Sequence, residues 1–194
     1  IPAPRILLGY SLGARLALHA LTTAPPGLWQ AAILLAPHPG LPDPAERATR
    51  LAHDQTWADR TRLTPWPEVL NAWNAQPVLA GGPSPSASES WRPEIAAAFE
   101  GWSLGHQPSL LPALAQTRIP LLWITGARDL KFTALAAQAA ALSPHIRHHI
   151  LPACGHRLLH QAPGEIRTLI SRFLQNPPRP DPSRPAHQIP PASA

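Results

Sequence analysis

Residues 5–18, RILLGYSLGARLAL, place a serine between two glycines in the motif GYSLG, residues 9–13. The residues before Ser11 form a short apolar run typical of a buried strand, and the apolar residues after it recur at helical spacing. A strand that passes directly into a helix needs glycine at the corner, so we expect a side chain at Gly9 or Gly13 to collide with the neighbouring backbone. The pattern predicts Ser11 at a sharp strand-to-helix turn, beside a helix N-terminus that favours negative charge.

The composition is that of an ordinary globular domain. The chain has 194 residues, of which 44% are hydrophobic and 14% are charged, and these values suit one buried core. No apolar run is long enough to cross a bilayer and no secretory leader is recognisable, so we expect a cytoplasmic protein without membrane contact. The single cysteine, Cys154, excludes an internal disulfide and a cysteine metal cage. The histidines and carboxylates lack metal-ligand spacing, so we expect no metal.

The positive charge of the chain comes almost entirely from arginine. The formal net charge is +5, and all but one of the 16 basic residues are arginine, the exception being Lys131. The arginines are dispersed and no RNA- or DNA-binding motif is present, so we expect no nucleic-acid partner. Guanidinium groups bind carboxylates in a bidentate manner, which favours a small acidic ligand. A general genomic bias towards arginine explains the composition equally well, and both explanations stay open at this point.

Short apolar segments and helical patterns alternate along most of the chain. The strand candidates are residues 5–8, 31–35, 119–124 and 147–151. Helical patterns follow or separate them, which predicts an α/β fold with a mostly parallel sheet and flanking helices. Such sheets bind ligands beyond the carboxyl ends of their strands, so we expect a site at that edge.

The segment between the second and third strand candidates has a different character. It lacks strand signals but holds five of the seven tryptophans, Trp57, Trp66, Trp73, Trp91 and Trp102. We interpret it as a helical cap inserted over the C-terminal edge of the sheet. The predicted domains are a core of residues 1–43 and 114–175, a helical cap of residues 44–113, and a disordered proline-rich tail of residues 176–194.

A reactive serine at such a corner needs a base, and the base needs an orienting group. In architectures with this corner, the three residues follow in the order serine, aspartate, histidine. Asp129 follows the third strand candidate and His156 follows the fourth, so we predict a triad of Ser11, Asp129 and His156. Two simpler explanations stay open, because Asp129 could cap the next helix and His156 could be a turn histidine at the surface. His148 and His149 alternate on the last strand, and we expect both to face solvent.

Six segments carry a more specific pattern than the serine corner alone. They are GYSLG (9–13), HPGLPDPAERATRLAHDQTWA (38–58), LNAWNAQPVLA (70–80), SLGHQPSLLPAL (103–114), GARDLKFTALA (126–136) and ACGHRLLHQAP (153–163). Together these segments resemble the MenH family, which makes 2-succinyl-6-hydroxy-2,4-cyclohexadiene-1-carboxylate in menaquinone and phylloquinone biosynthesis. The likeness extends over residues 5–174 and implies the α/β-hydrolase fold with an inserted helical cap.

The resemblance also implies roles for individual residues. Ser11, Asp129 and His156 would form the catalytic triad, with Ser11 acting as a base. The implied substrate contacts are Tyr10, Leu12, Arg15, Arg50, Trp73 and Lys131. The implied reaction is a lyase elimination, in which the ring of a tricarboxylic cyclohexene loses a proton and its enolpyruvyl ether loses pyruvate. It needs no cofactor or metal, and fixed arginines would hold the carboxylates.

The resemblance has limits that leave alternatives open. Family members carry a longer segment before the serine, which includes the first strands of the sheet and a loop with an oxyanion-hole N–H. We therefore expect a sheet without its early strands, and the Leu12 amide as the only oxyanion donor. A general serine hydrolase, acting on esters or carbon–carbon bonds, would use the same triad, and an inactive fragment or binding remnant is the other alternative. Arg15 and Trp73 also have structural explanations, as cover for the helix and as cap core.

Overall fold

In the computed structural model of the chain, the described residues are 5–81 and 86–176, and they form two compact units. Within the described residues, the first unit consists of 5–39 with 110–176, and the second of 40–81 with 86–109. The predicted division at residues 44 and 113 lies close to these bounds, and the interpretation of the second unit as a cap stays a prediction. The predicted tail lies outside the described residues from position 177 onward.

The first unit is built on a parallel sheet. Its strands, β1 (Ile6–Tyr10), β2 (Ala31–Leu35), β3 (Leu121–Gly126) and β4 (Ile146–Leu151), lie side by side in that order. All neighbours pair in parallel, with Leu34 between Gly9 and Trp123. Every residue of β2 and β3 is buried, as expected for central strands that are covered on both faces. The predicted α/β fold is confirmed, and each strand candidate overlaps an observed strand.

Eight α-helices are present in the described residues. They are α1 (Leu12–Thr23), α2 (Pro44–Leu63), α3 (Trp66–Asn74), α4 (Arg92–Gly101), α5 (Leu111–Ala115), α6 (Leu130–Leu142), α7 (Leu158–Gln161) and α8 (Pro163–Gln175). Helices α2, α3 and α4 belong to the second unit, and the others belong to the first. Over the ranges that the structure describes, none of these helices has the length and apolar character that a bilayer crossing requires.

Two apolar layers cover the faces of the sheet. On one face, Trp123 packs in a cluster with Leu18 of α1. On the other face, Ile124 packs in a cluster with Leu35 and with Phe173 of α8. Full burial of a large apolar side chain stabilises a fold by about 1.5–3 kcal/mol. These layers therefore hold the carboxyl ends of the strands, where the candidate site residues begin, in fixed positions.

An aromatic cluster joins the helices of the second unit. The ring centroid of Trp57 in α2 lies 5.1 Å from that of Trp73 in α3, with the planes at 88°. Phe99 of α4 lies 6.0 Å from Trp57 and 5.2 Å from Trp73. Aromatic pairs of this kind contribute about 0.5–1.5 kcal/mol each beyond the area they bury. Tryptophans that distinguish this segment in the sequence thus connect its three helices.

The histidines of β4 depart from the prediction. His148 is half-buried, and its Nε2 lies 2.7 Å from Oγ1 of the buried Thr125 on β3. Burial lowers the pKa of His148, and the neighbouring His149 adds to this effect. His149 is also only partly exposed. The expectation that it faces solvent is wrong for His148, because strand pairing brings a buried hydroxyl to it from a residue distant in sequence. For His149 the expectation stays a prediction.

The two glycines of the serine corner differ in their surroundings. A Cβ at Gly9 would lie 2.6 Å from the Gly13 carbonyl oxygen and 2.7 Å from Ala14 Cα, so the first turn of α1 excludes a side chain there. A Cβ at Gly13 would have open space within 4 Å among the described residues. The predicted collision is confirmed for Gly9 and wrong for Gly13, because Gly13 is exposed and leaves open space for a Cβ.

Alanine substitutions at these two glycines should separate their roles. Gly9→Ala forces the strand and helix apart, and we expect a loss of about 1–3 kcal/mol in the free energy of unfolding. For a chain of this size that corresponds to roughly 2–4 °C in Tm per kcal/mol. Gly13→Ala is the matched control and should be neutral or stabilising by up to about 1 kcal/mol, since alanine favours helix. Thermal melting followed by circular dichroism measures both, and equal Tm losses would show that the close approach at Gly9 is not limiting.

Candidate active site

Ser11 occupies the corner between β1 and α1. Its backbone has φ 50° and ψ −114°, a conformation that residues other than glycine rarely adopt. The Ser11 N–H donates to the Leu35 carbonyl at 2.9 Å, and the Ser11 carbonyl accepts from the Arg15 N–H at 3.0 Å. The neighbouring strand and the first turn of the helix therefore both hold this unusual backbone, which presents the serine hydroxyl at the carboxyl end of the sheet.

A continuous line of hydrogen bonds runs from Ser11 to Asp129. Ser11 Oγ lies 2.9 Å from His156 Nε2, and His156 Nδ1 lies 2.7 Å from Asp129 Oδ2. His156 and Asp129 are 5% and 7% exposed. A carboxylate beside Nδ1 favours the tautomer that carries its proton there, which leaves Nε2 as the acceptor for the serine proton. This arrangement can convert Ser11 into either a base or a nucleophile.

Asp129 combines two roles that the sequence presented as alternatives. It is the N-cap of α6, where Oδ1 accepts a long hydrogen bond of 3.5 Å from the Phe132 N–H. Its other oxygen, Oδ2, receives the bond from His156. The cap and the imidazole thus use different oxygens of one carboxylate. Its N-cap position directs the carboxylate towards the end of β4, where His156 follows.

Two aromatic rings flank the imidazole of His156. The Phe132 ring centroid lies 4.5 Å from that of His156, and the Tyr10 centroid lies 5.9 Å away. The Tyr10 hydroxyl donates to the His156 carbonyl at 2.9 Å. Burial raises the pKa of Tyr10, an effect that the Arg157 charge opposes and the Asp129 charge reinforces. Tyr10 therefore stays a neutral donor, and the phenol predicted to touch substrate also fixes the backbone of the histidine.

The other predicted contacts of the first unit lie on the elements that carry the triad. Leu12 is the first residue of α1, where the backbone N–H has no acceptor within the helix. Arg15 lies one turn further along α1 and is half-buried. Lys131 lies in the first turn of α6, two residues beyond Asp129, and is exposed. Their contacts with substrate stay predictions.

In the second unit, Arg50 binds a buried carboxylate. Its Nε lies 2.9 Å from Oδ1 and 2.8 Å from Oδ2 of Asp54, which is 3% exposed. Ser103 Oγ donates to Asp54 Oδ2 at 2.7 Å. Burial alone would raise the pKa of Asp54, but the bonds from Arg50 and Ser103 and the Arg50 charge outweigh it, so this pKa is lowered. Asp54 is therefore an anion that orients the Arg50 guanidinium.

Trp73 occupies a structural position in the second unit. Its half-buried ring packs against Trp57 and Phe99, as described above. This contact agrees with the alternative that Trp73 belongs to the core of its unit. A second role of the same ring against a substrate stays a prediction.

Some residues of the site were not singled out by sequence reasoning. Phe132 is noted in the sequence only as part of a family segment, yet its ring is the closest aromatic neighbour of the His156 imidazole. Gln161, at the end of α7, accepts a hydrogen bond from the Gly155 N–H, and no local pattern indicates this contact. Within residues 5–81 and 86–176, no group of three or more histidine, cysteine or carboxylate side chains is placed to hold a metal ion.

Comparison with known proteins places these features in a family. The alpha/beta hydrolase family matches residues 1–169. The 2-succinyl-6-hydroxy-2,4-cyclohexadiene-1-carboxylate synthase of Serratia proteamaculans is 38% identical over 179 residues, which cover 88% of this chain and 68% of that protein. The synthase of the same name from Pectobacterium atrosepticum is 38% identical over 161 residues, which cover 76% of this chain and 63% of that protein. The chain therefore spans about two thirds of the length of these curated relatives.

Two solved structures share the fold of this chain, and one of them carries the name of the same family. MenH from S. aureus superimposes with a TM-score of 0.81 at 25% identity, over 88% of this chain and 67% of that one. An esterase from Exiguobacterium antarcticum superimposes with a TM-score of 0.60 at 17% identity, over 87% of this chain and 66% of that one. The second likeness shows a shared fold alone.

Asp129→Asn should separate the two roles of this residue. Asparagine caps helices as well as aspartate does, but its neutral amide cannot replace the carboxylate charge that keeps the proton on His156 Nδ1. We expect the rate of Ser11 labelling by a fluorophosphonate to fall by about 10³- to 10⁴-fold, while Tm changes by only a few degrees. Asp129→Ala is the companion variant, which should lose the same reactivity and about 1 kcal/mol more stability. Undiminished labelling of the asparagine variant would reduce Asp129 to a helix cap.

Proposed function

This chain belongs to the 2-succinyl-6-hydroxy-2,4-cyclohexadiene-1-carboxylate synthase family of α/β hydrolases, and we propose that its triad eliminates pyruvate from 2-succinyl-5-enolpyruvyl-6-hydroxy-3-cyclohexene-1-carboxylate. The family and the lyase class expected from the sequence are confirmed by these relatives. The observation that supports the proposal most strongly is the Ser11–His156–Asp129 relay at the carboxyl end of the sheet. The roles of individual residues given below are part of the proposal.

The proposed reaction begins with proton transfer along this relay. His156 Nε2 takes the Ser11 hydroxyl proton, and the resulting alkoxide removes a proton from the substrate ring. The electron pair of that C–H bond forms a new ring double bond, and the existing ring double bond shifts by one position. The carbon–oxygen bond to the enolpyruvyl group breaks, and its electron pair leaves with the oxygen. The departing enolate accepts the proton from the imidazolium and becomes pyruvate. Ser11 is protonated again by the proton that it removed from the ring carbon, so the enzyme returns to its starting state.

The geometry around Ser11 suits a serine that carries negative charge. The hydroxyl stands at the N-terminus of α1, where the Leu12 N–H and the helix dipole favour an anion. Asp129 stabilises the imidazolium that forms during the transfer. Phe132 and Tyr10 flank the imidazole with aromatic rings, which limits the access of water to it.

We propose that arginines bind the carboxylates of the substrate. Arg15 belongs to the helix that carries Ser11, and Arg50 belongs to the second unit. Among the described residues, the hydrogen bonds of Arg50 run through Nε to Asp54, so its two Nη atoms present the outer edge of the planar fork. That edge has the geometry for bidentate binding of a carboxylate. Tyr10, Trp73 and Lys131 are further proposed contacts.

The proposed reaction defines the substrate, the cofactor requirement and the compartment that we expect. We propose a small tricarboxylic substrate and no requirement for nucleic acid, membrane, metal or cofactor. The elimination is redox-neutral and needs only a base and an acid, which the triad supplies. We propose the cytoplasm as the compartment, as expected from the sequence.

The same triad would support a second function, ester hydrolysis through an acylated Ser11. The favouring observation is the position of Ser11 Oγ, 2.9 Å from an imidazole nitrogen, which activates a nucleophile as well as a base. The two functions differ in one observable, because only the hydrolase forms a covalent substrate adduct on Ser11.

Intact mass spectrometry should distinguish the two functions. Under single-turnover conditions with the enolpyruvyl substrate, we expect the protein to release pyruvate and to keep its unmodified mass throughout. A sample of the protein treated in parallel with a fluorophosphonate should gain the mass of the phosphonyl group on Ser11. This control shows that an adduct at this position is detectable. Accumulation of a stoichiometric substrate adduct on Ser11 would establish the hydrolase function instead.

Arginine substitutions should separate the synthase from an esterase. Arg15→Ala and Arg50→Ala each remove a cation from a desolvated carboxylate, which typically costs about 2–5 kcal/mol. We expect kcat/KM for the tricarboxylic substrate to fall by roughly 30-fold to several thousand-fold. Hydrolysis of p-nitrophenyl acetate, a neutral ester, should stay within about threefold, whereas Ser11→Ala should abolish it.

Arg167→Ala, at an exposed position on α8, is the control for a general loss of positive charge. It should leave both activities unchanged. Steady-state kinetics with a coupled pyruvate assay measures the first activity and absorbance measures the second. An equal loss of both activities in the Arg15 and Arg50 variants would identify these arginines as structural supports rather than carboxylate ligands.

A further inference from the structure

The imidazole of His156 is carried by a turn without regular secondary structure. Residues 152–157 lie between the end of β4 at Leu151 and the start of α7 at Leu158. Both hydrogen bonds of the imidazole are short, so a small shift of this turn would lengthen the bond to Ser11 or to Asp129. The contacts that fix the turn therefore determine whether the relay is aligned.

One of these contacts comes from a side chain beyond the turn. Gln161 Oε1 accepts a hydrogen bond from the Gly155 N–H at 2.7 Å. Because a backbone N–H can only donate, the group that faces it must be the amide oxygen of Gln161. Gly155 is buried and directly precedes His156. Gln161 is itself held by its position in α7, where its own N–H donates to the Arg157 carbonyl at 3.1 Å.

The turn is also fixed against the end of β3 and against β1. The Arg128 N–H donates to the Cys154 carbonyl at 2.9 Å. A Cβ at Gly126 would lie 2.3 Å from that same carbonyl oxygen, so the two backbones are in direct contact. The Tyr10 hydroxyl donates to the carbonyl of His156. These contacts engage carbonyl groups of the turn, whereas Gln161 engages the amide next to the histidine.

We infer that Gln161 is a positioning residue for His156. It acts through the Gly155 amide, and it holds the turn so that Nε2 and Nδ1 reach Ser11 and Asp129 together. The inference rests on the proposed role of His156 as the proton acceptor of Ser11. Because Gln161 acts through the Gly155 amide, we expect its effect on the rate of proton transfer and hardly on the binding of substrate.

The chemistry of the contact defines which substitutions it tolerates. An oxygen acceptor at the same reach satisfies the buried Gly155 N–H, whereas an apolar side chain leaves it unsatisfied, a condition that folded proteins avoid. The turn would then shift to find another acceptor. Displacements of about 1 Å in a catalytic arrangement reduce rates by roughly 100-fold. Gln161→Met keeps the size and removes the acceptor, and Gln161→Glu keeps an acceptor oxygen.

The experiment compares these two variants of the protein by two independent readouts. The first is the rate of fluorophosphonate labelling of Ser11, which needs an aligned relay but no substrate. The second is kcat and KM for pyruvate release. We expect Gln161→Met to lose about 10- to 100-fold in labelling rate and in kcat, with KM within about threefold. Gln161→Glu should retain both within about fivefold at neutral pH.

Two further variants complete the design. Gln175→Met, at an exposed position on α8, is the matched control and should behave as the wild type. Gln161→Asn shortens the side chain by one carbon and should give an intermediate loss. It replaces Gln161→Met as the test if the methionine variant does not fold. Equal reactivity of Gln161→Met and wild type, or equal losses in the methionine and glutamate variants, would overturn the inference.

The two readouts separate this inference from the proposed function. In one outcome, the wild type is labelled normally, the variant without an acceptor is labelled more slowly, and the wild type releases no pyruvate. That outcome would support the role of Gln161 and overturn the synthase reaction. Pyruvate release at the same rate in the wild type and in the Gln161 variants would support the synthase reaction and overturn the role of Gln161. A wild-type protein that neither labels nor releases pyruvate would overturn both, because the relay itself would be inactive.

Discussion

A serine backbone at φ 50° and ψ −114° is strained by about 1–3 kcal/mol, and the chain keeps it because its neighbours leave no alternative. On one side, the Ser11 amide is tied to the carbonyl of Leu35 on the adjacent buried strand. On the other side, α1 starts at once and packs so closely on β1 that Gly9 cannot carry a side chain. Relaxation of the corner would therefore cost strand pairing and helix packing together. The rest of the site is arranged around the hydroxyl that this strain presents.

Much of this arrangement follows from local sequence. The strands β2 and β3 are uniformly apolar, so their burial and parallel pairing could be predicted from composition and order. The sequence also indicated that Asp129 follows β3 and that His156 follows β4. The structure brings Asp129 and His156 together with Ser11, and their catalytic roles stay predictions.

The features that escaped prediction depend on which groups meet in the folded chain and on the direction in which a side chain would point. His148 finds Thr125 only because β3 and β4 pair in one particular register. Gly13 escaped because a glycine pattern does not reveal the direction in which a Cβ would point. Gln161 accepts a hydrogen bond from the Gly155 amide, and no local sequence pattern indicates that its side chain reaches this group. In each case the determining quantity is a three-dimensional distance that neither periodicity nor residue type encodes.

Tyr10 is the only tyrosine in the chain, and this makes the site spectroscopically distinct. Its phenol donates to the backbone of His156, so its environment depends on the position of the turn that carries the imidazole. A protein labelled with isotopes at tyrosine would give one side-chain spectrum, and it would come from the site itself. Ionisation of this phenol, displaced to higher pH by burial, offers an ultraviolet signal of the same origin. The arrangement thus contains a native reporter of its own geometry, readable without an attached probe.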